Sequence, residues 1–480
     1  MKILLVSPAS LVHKSHAFKK NPYLSMGLAY LAAVLKEKHK VAVVDMFMEG
    51  YDKRARYGRD FVRIGLGIST LKERIKRFSP DVVGISMPFS PQYKTGFDVA
   101  RAAKELNKNI VVIAGGQHPS IFYNDCLGAG FIDFVVIGEG EETLKDLIAA
   151  IDNKSADFRK INGVSFKKDA AIIKTGTRPY IKDLDRLPYP AWELFPLEKY
   201  FSYLKKRRLK IITSRGCPYR CSFCAVHCVM GNLFRPRSPR SVCDEIEFLM
   251  KRYGIKELNI DDDNITCDKH RALEIFDEMI RRKFHIDWYA GNGIRPDTID
   301  EAMAQKIAAS GCKALLLSAD SGSQRVLDTI IHKGMRLPDY ERGLTLLKKA
   351  GIYVKSNVII GFPGETMEDI RCSIEYAHRL KTLGADEIEI PIATPYPGTE
   401  LYMTAKEKGY LTNTDYTNFV TELGNIKTEE FAPEDLIKLR DETYKKVNPQ
   451  FKLFTLRHFL TAFKHPRYAV NIFSNYLRGL

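Results

Sequence analysis

No apolar run in this chain approaches the roughly 18 residues that would span a bilayer. The opening stretch Met1-Lys2-Ile3-Leu4-Leu5-Val6 is too short for a secretory h-region, so a cytoplasmic, reducing setting is expected. The loop after the first predicted strand, Ser7-Pro8-Ala9-Ser10, lacks glycine, which argues against a GxGxxG nicotinamide or flavin site. No second CxxC unit follows at zinc-ribbon spacing. Internal repeats and low-complexity tracts are absent. Acidic residues are outnumbered, 58 against 74 lysines and arginines, for a net charge of +16. That surplus is compatible with nucleic acid, an anionic membrane, an acidic substrate or a basic solvated surface, and does not choose among them. At 480 residues the chain has room for two or three domains.

Three of its nine cysteines stand together in Arg215-Gly216-Cys217-Pro218-Tyr219-Arg220-Cys221-Ser222-Phe223-Cys224. Three thiolates on one tight loop suit three corners of a four-iron, four-sulfur (4Fe-4S) cluster, leaving the fourth iron open, whereas structural zinc needs a closed set of four ligands. Cys228, four residues on, is a candidate fourth ligand that would close the site. Cys126, Cys243, Cys267, Cys312 and Cys372 stand singly and read as core thiols.

From 1 to 152 the sequence alternates strands (Lys2 to Val6, Val41 to Asp45, Asp81 to Ser86, Ile110 to Ala114, Phe134 to Ile137) with helices (Met26 to Lys38, Leu71 to Phe78, Tyr93 to Leu106, Glu141 to Ile151). This predicts an α/β, Rossmann-like doubly wound parallel sheet with its ligand at the carboxyl ends of the strands. Small residues gather there: Ser86, Gly115, Gly116, Gly138 and Gly140. Residues 153–204 read as an ordered linker with a hairpin at 163–166 and 171–174. From 205 to 402 six further strands (Lys210 to Ser214, Glu257 to Asp261, Asp287 to Ala290, Ala314 to Ser318, Val354 to Ile360, Glu387 to Pro391) predict a partial (β/α)6 barrel, with polar residues clustered after the strands. Residues 403–480 read as a helical extension, with a helix predicted over Ala432 to Val447 and a tail, Phe451 to Leu480, that is aromatic and basic with no acidic residue after Glu442. The tail reads as helices capping the barrel or as a segment for an anionic membrane surface.

The cysteine spacing, with Phe223 before the third cysteine, resembles the radical S-adenosylmethionine (SAM) superfamily. Ser86 and Gly115-Gly116-Gln117-His118-Pro119 resemble the cobalamin-binding domain that precedes many radical SAM cores. The resemblance implies Cys217, Cys221 and Cys224 as cluster ligands. It implies SAM contacts at Phe223, Asp262, Asp263, Arg295, Asp320, Ser321, Gly361 and Pro363, and cobalamin contacts at Ser86, Gly115, Gly116, Gly138 and Gly140. Two departures stand out. The family's SxL reads Ser86-Met87-Pro88, and DxHxxG, whose histidine ligates cobalt from below, is absent; His13 and His16 lie in that loop without the flanking aspartate and glycine.

The implied chemistry is reductive cleavage of SAM to a 5'-deoxyadenosyl radical, hydrogen abstraction, and methylation of an unactivated carbon from cobalamin. The alternatives are an oxidative cyclase resembling that of magnesium-protoporphyrin monomethyl ester and, more remotely, an iron-sulfur electron carrier. Methylthiotransferases of tRNA are set aside, because their amino-terminal domain supplies three further cluster cysteines and this one has only Cys126. A small-molecule or lipid-like substrate and an electron donor such as flavodoxin or ferredoxin are the expected partners, with nucleic acid not among them. The catalytic residues and the substrate are not legible.

Overall fold

The computed structural model describes residues 1–14, 21–154 and 157–449. His16 and the aromatic, basic tail therefore lie outside the described residues.

Two parallel sheets organise the molecule. In the first, Lys2–Ser7, Lys40–Asp45, Val82–Ser86, Val111–Gly115 and Phe134–Val136 run parallel, with Lys2–Ser7 between Lys40–Asp45 and Val82–Ser86. Chain order therefore reverses beside Lys2–Ser7, which places the switch-point crevice at the carboxyl ends of this strand and Val82–Ser86. Helices Met26–Leu35, Ile68–Phe78, Tyr93–Leu106 and Glu141–Asp152 cover the faces.

The hairpin expected in the linker forms at Val164–Lys168 and Ala171–Lys174 and extends this same sheet, pairing antiparallel with Phe134–Val136. Phe166 of the hairpin and Phe158 just before it accompany the attachment, meeting Phe134 at ring distances of 5.9 and 4.8 Å. The first sheet is thus mixed at one edge. A second departure from expectation is a small antiparallel sheet, Ser10–His13, Phe61–Ile64 and Arg54–Tyr57, in a stretch the sequence left unassigned. Its strands are only four residues each, and Arg54, Arg56 and Arg63 leave them few apolar positions to mark them.

The second sheet orders Arg208–Ile211, Glu257–Ile260, Asp287–Ile294, Cys312–Asp320, Tyr353–Val358 and Glu387–Glu389 side by side, all parallel. It is the six-stranded open barrel the alternation predicts. The first predicted strand is cut short. After Ile211 the chain leaves the sheet, and Ser214–Arg215 pairs instead with Arg235–Pro236. Asp262 causes this departure by accepting from Thr213 N, Thr213 Oγ1 and Ser214 Oγ, each at 2.5 Å. At the far edge Ile388 N donates to Asn448 Oδ1 (3.0 Å) and Asn448 Nδ2 donates to Ile388 O (2.9 Å), just beyond the helix Pro433–Val447.

One apolar core runs from Ile3 and Leu5 through Trp192 to Trp288 and Leu436, and a second, built on Leu4, Val6, Leu71, Val83, Val99 and Val112, fills the other face of the first sheet. Trp192 is fully buried in the connecting segment, where Ala191 N donates to Ala29 O at 3.0 Å. Each such large side chain contributes roughly 1.5–3 kcal/mol of burial, which ties the connector to the core it shares with both sheets. No helix among the described residues is long and apolar enough to cross a membrane.

Candidate active site between the two sheets

The carboxyl ends of the first sheet open into a cavity of about 610 Å³ that the second sheet completes. One wall carries Ser86, Gly115, Gly116, Gly138 and Gly140, and the other Phe223, Cys224 and Asp263. The remaining lining is mostly aliphatic, including Leu5, Leu28, Ile85 and Val136. All five residues predicted for cobalamin meet here because parallel strands bring their ends to one edge. Gly116 has φ +109°, and a Cβ there would stand 2.6 Å from Met87 O. Only glycine permits strand end and loop to lie so close.

The cysteine loop, Gly216 to Phe234, leaves Ser214–Arg215 and returns at Arg235–Pro236. Burial pushes up the thiols of Cys217, Cys221 and Cys224, the last to about 12, and each of Cys221 and Cys224 is raised further by charge on its neighbours in the motif. Three such thiolates coexist only beside strong positive charge, which an iron cluster provides. Among the described residues no three His, Cys, Asp or Glu side chains converge to hold a single ion. A cube gives each cysteine its own iron, and three thiols on one short loop are the donor set that such a cluster takes. Cys228 ends the turn Ala225–Cys228 and packs against Gly398, where a Cβ would stand 2.8 Å from its Sγ. Burial raises its thiol.

The residues predicted for SAM divide. Phe223 lines the cavity and its ring stands 5.8 Å from that of Phe362. Asp263 also lines it and accepts from Gly216 N at 3.0 Å; burial raises its carboxyl to about 6. Arg295 lies behind the cysteine loop, its guanidinium 3.7 Å from the Tyr219 ring centroid, paired with Asp297 and donating to Lys333 O and Gly334 O. Asp320, at φ +67°, pairs with the buried Lys333 ammonium and accepts from Asn357 Nδ2 at 3.1 Å. Burial opposes charge on Lys333, but Asp320 and Cys221 outweigh it and hold the ammonium protonated.

Two predicted residues are occupied otherwise. The Asp262 carboxylate is taken up by Thr213 and Ser214. Ser321 Oγ is 3.1 Å from Ser373 Oγ and accepts from Ser323 N. Neither lines the cavity. Gly361 donates its N–H to Glu365 Oε2, and its open side faces Leu436, which a Cβ would approach to 2.5 Å. Pro363 borders a separate cavity of about 130 Å³ with Ser222, Phe362 and Leu401.

Sequence reasoning missed Glu139, Glu141, Arg215, Arg235, Lys333 and Tyr396. Glu139 stands between two of the predicted glycines and Arg215 two residues before the first motif cysteine, so nearness was the available signal for both. Nothing local marked Lys333 or Tyr396.

A doubly wound sheet facing an open barrel, with a glycine-lined wall opposite a three-cysteine loop, defines a two-cofactor α/β enzyme. The model of the radical SAM superfamily matches residues 211–377 and that of the B12 binding domain residues 20–148. An uncharacterized methyltransferase of Pyrococcus horikoshii is 33% identical over 450 residues, 92% of each chain. The cytidylyl-2-hydroxyethylphosphonate methyltransferase of Streptomyces wedmorensis is 31% identical over 447 residues, 85% of this chain and 82% of its own. The solved radical SAM methyltransferase TsrM of Kitasatospora setae, with tryptophan and a SAM analogue bound, shares the fold at TM-score 0.69 and 21% identity, over 86% of this chain and 77% of its own. The chain belongs to the cobalamin-dependent radical SAM methyltransferase family, whose cofactors are a 4Fe-4S cluster, SAM and cobalamin.

Proposed function

We propose that the protein methylates an unactivated carbon of a small molecule inside the shared cavity. The observation that carries this reading is that one continuous space touches both the glycine wall and Cys224. In this reading Cys217, Cys221 and Cys224 hold the cluster, and Ser86, Gly115, Gly116, Gly138 and Gly140 cradle cobalamin. Phe223 and Asp263 face SAM, with Arg295 and the Asp320–Lys333 pair fixing the ground behind it and Gly361 and Pro363 shaping its outer side. Asp262 and Ser321 brace the strands that carry these groups. When bound, the cluster and SAM supply a hydrogen-abstracting radical, and cobalamin supplies a transferable methyl group.

The chain's own part is positioning and exclusion of water. Aliphatic walls keep the space dry, which protects a reactive carbon from solvent. The stacked Arg295 keeps the cysteine loop flat against the barrel. Pro218 and Arg220 are exposed on that loop, where an acidic electron donor such as flavodoxin or ferredoxin would dock against a basic protein. A cytoplasmic location suits such a donor, and the tail Phe451 to Leu480 carries the proposal of peripheral membrane contact by its composition alone.

The test is anaerobic reconstitution with iron, sulfide, hydroxocobalamin and methyl-labelled SAM, with dithionite as the electron source and a small-molecule extract as acceptor. Label in a new product is the expected result. Formation of 5'-deoxyadenosine with unlabelled, oxidised or cyclised products would replace methylation by the cyclase-type reaction.

A further inference from the structure

Both ends of the cysteine loop are held by one carboxylate from the opposite wall. Arg215 and Arg235 sit directly across from each other in the short antiparallel pair that brackets residues 216–234. Like charges so placed repel. Glu139 lies between them, accepting from Arg215 Nη1 at 2.9 Å (Oε1) and from Arg235 Nη1 at 2.8 and 2.9 Å (Oε1 and Oε2). Glu141 accepts from Arg215 Nη2 at 2.6 Å. The four side chains are only 5–6% exposed, so two positive and two negative charges neutralise one another out of water. Glu139 further accepts from Ile181 N at 2.8 Å, and Arg235 donates to Ile181 O and Met230 O. The loop ends are pressed together as well, since a Cβ on Gly216 would stand 2.3 Å from Leu233 O.

Glu139 is flanked by Gly138 and Gly140, both on the cavity wall. Whatever seats against those glycines restrains Glu139, and through it both anchors of the cysteine loop. We infer that Glu139 is a positioning residue that locks the cluster loop to the cobalamin wall, so that each cofactor tightens the binding of the other. This rests on the assignment of the glycine wall to cobalamin and of the three cysteines to the cluster. Because linkage is reciprocal, the factor by which the cluster tightens cobalamin must equal the factor by which cobalamin tightens the cluster.

The experiment uses the full chain with hydroxocobalamin as probe. Its dissociation constant is measured by absorbance on protein with and without a reconstituted cluster, and iron loss to a chelator is followed with and without hydroxocobalamin. Binding about tenfold tighter with the cluster in place is expected, a typical size for coupled sites, with iron release slowed by hydroxocobalamin. In Glu139→Gln the factor falls to about one while iron and cobalamin still load to full stoichiometry. Arg235→Lys, which keeps the charge and loses the fork, gives an intermediate factor and serves if Glu139→Gln does not fold. Equal affinities with and without the cluster in the unaltered protein, or full coupling in Glu139→Gln, overturn the inference. Failure of the unaltered protein to bind hydroxocobalamin at all overturns the cofactor assignment instead.

Discussion

The two walls of the cavity select their contents by different means. The first-sheet wall offers small residues at strand ends, and its five candidate residues share one surface. The second-sheet wall offers polar side chains, and only part of the candidate set faces the cavity: Asp263 does, while the adjacent Asp262 is turned to bracing Thr213 and Ser214. A glycine at a strand end makes room and has no side chain to engage elsewhere. A buried carboxylate must find donors, and the nearest ones are often structural. Sites built from space are therefore easier to read than sites built from hydrogen bonds.

The largest effects separate the walls outright. Cys224→Ala should abolish 5'-deoxyadenosine formation and cluster absorbance, yet leave hydroxocobalamin binding within about tenfold of normal, as only the coupling is lost. Gly138→Leu should do the converse. Gly138 lies at φ +77° with nothing within 4 Å of a Cβ, so a leucine there fills the cavity, and its left-handed backbone costs about 1–2 kcal/mol. Hydroxocobalamin binding should fall more than about tenfold while iron content after reconstitution stays normal. Loss of both cofactors in either variant would break the comparison.

A smaller contrast lies within the second wall. Asp262→Asn should lower stability in urea unfolding by about 2–4 kcal/mol, because a buried charged acceptor loses its partners, with the KM for SAM unchanged. Asp263→Asn should do the reverse, altering SAM cleavage with little change in stability. If Asp262→Asn shifts the KM for SAM and leaves stability alone, Asp262 is a ligand residue after all.

A gradual effect, spread over pH, concerns Glu365, which burial pushes up to about 8 and which accepts from Gly361 N and Phe362 N at 2.6 and 2.7 Å. An unfolded glutamate titrates near 4.3, so between about pH 4 and 8 the folded state holds a proton that the unfolded state releases. Stability should accordingly fall as pH rises through that window and level off above it, by at most about 1.4 kcal/mol per unit. Glu365→Gln should flatten the slope in urea unfolding. An unchanged slope would mean that Glu365 is ionised in the folded protein.

Much of the architecture was legible. The helix Tyr93–Leu106 and the strand ends at Ser86 and Gly115 follow from apolar period and small-residue stops. The three-cysteine loop was marked by spacing alone. What escaped notice depended on partners distant in sequence. Arg235 reads as one more surface cation until Glu139, 96 residues away, is brought beside it, and the Lys333 ammonium has its carboxylate partner in Asp320, at the end of the strand Cys312–Asp320. The hairpin Val164–Lys168 and Ala171–Lys174 was visible, but not the sheet it would join, because its Phe166 finds its partners in Phe134 and Phe158, outside the hairpin.

The amide of Asn448 has a bearing on how this molecule meets its own copies. An open sheet exposes at its last strand the backbone groups that recruit a strand from another chain, a common start of aggregation. By returning one acceptor and one donor to Ile388, Asn448 occupies that rung as a neighbouring strand would. The barrel can thus stay unclosed around its contents while its terminal edge is shut to intermolecular pairing at that point.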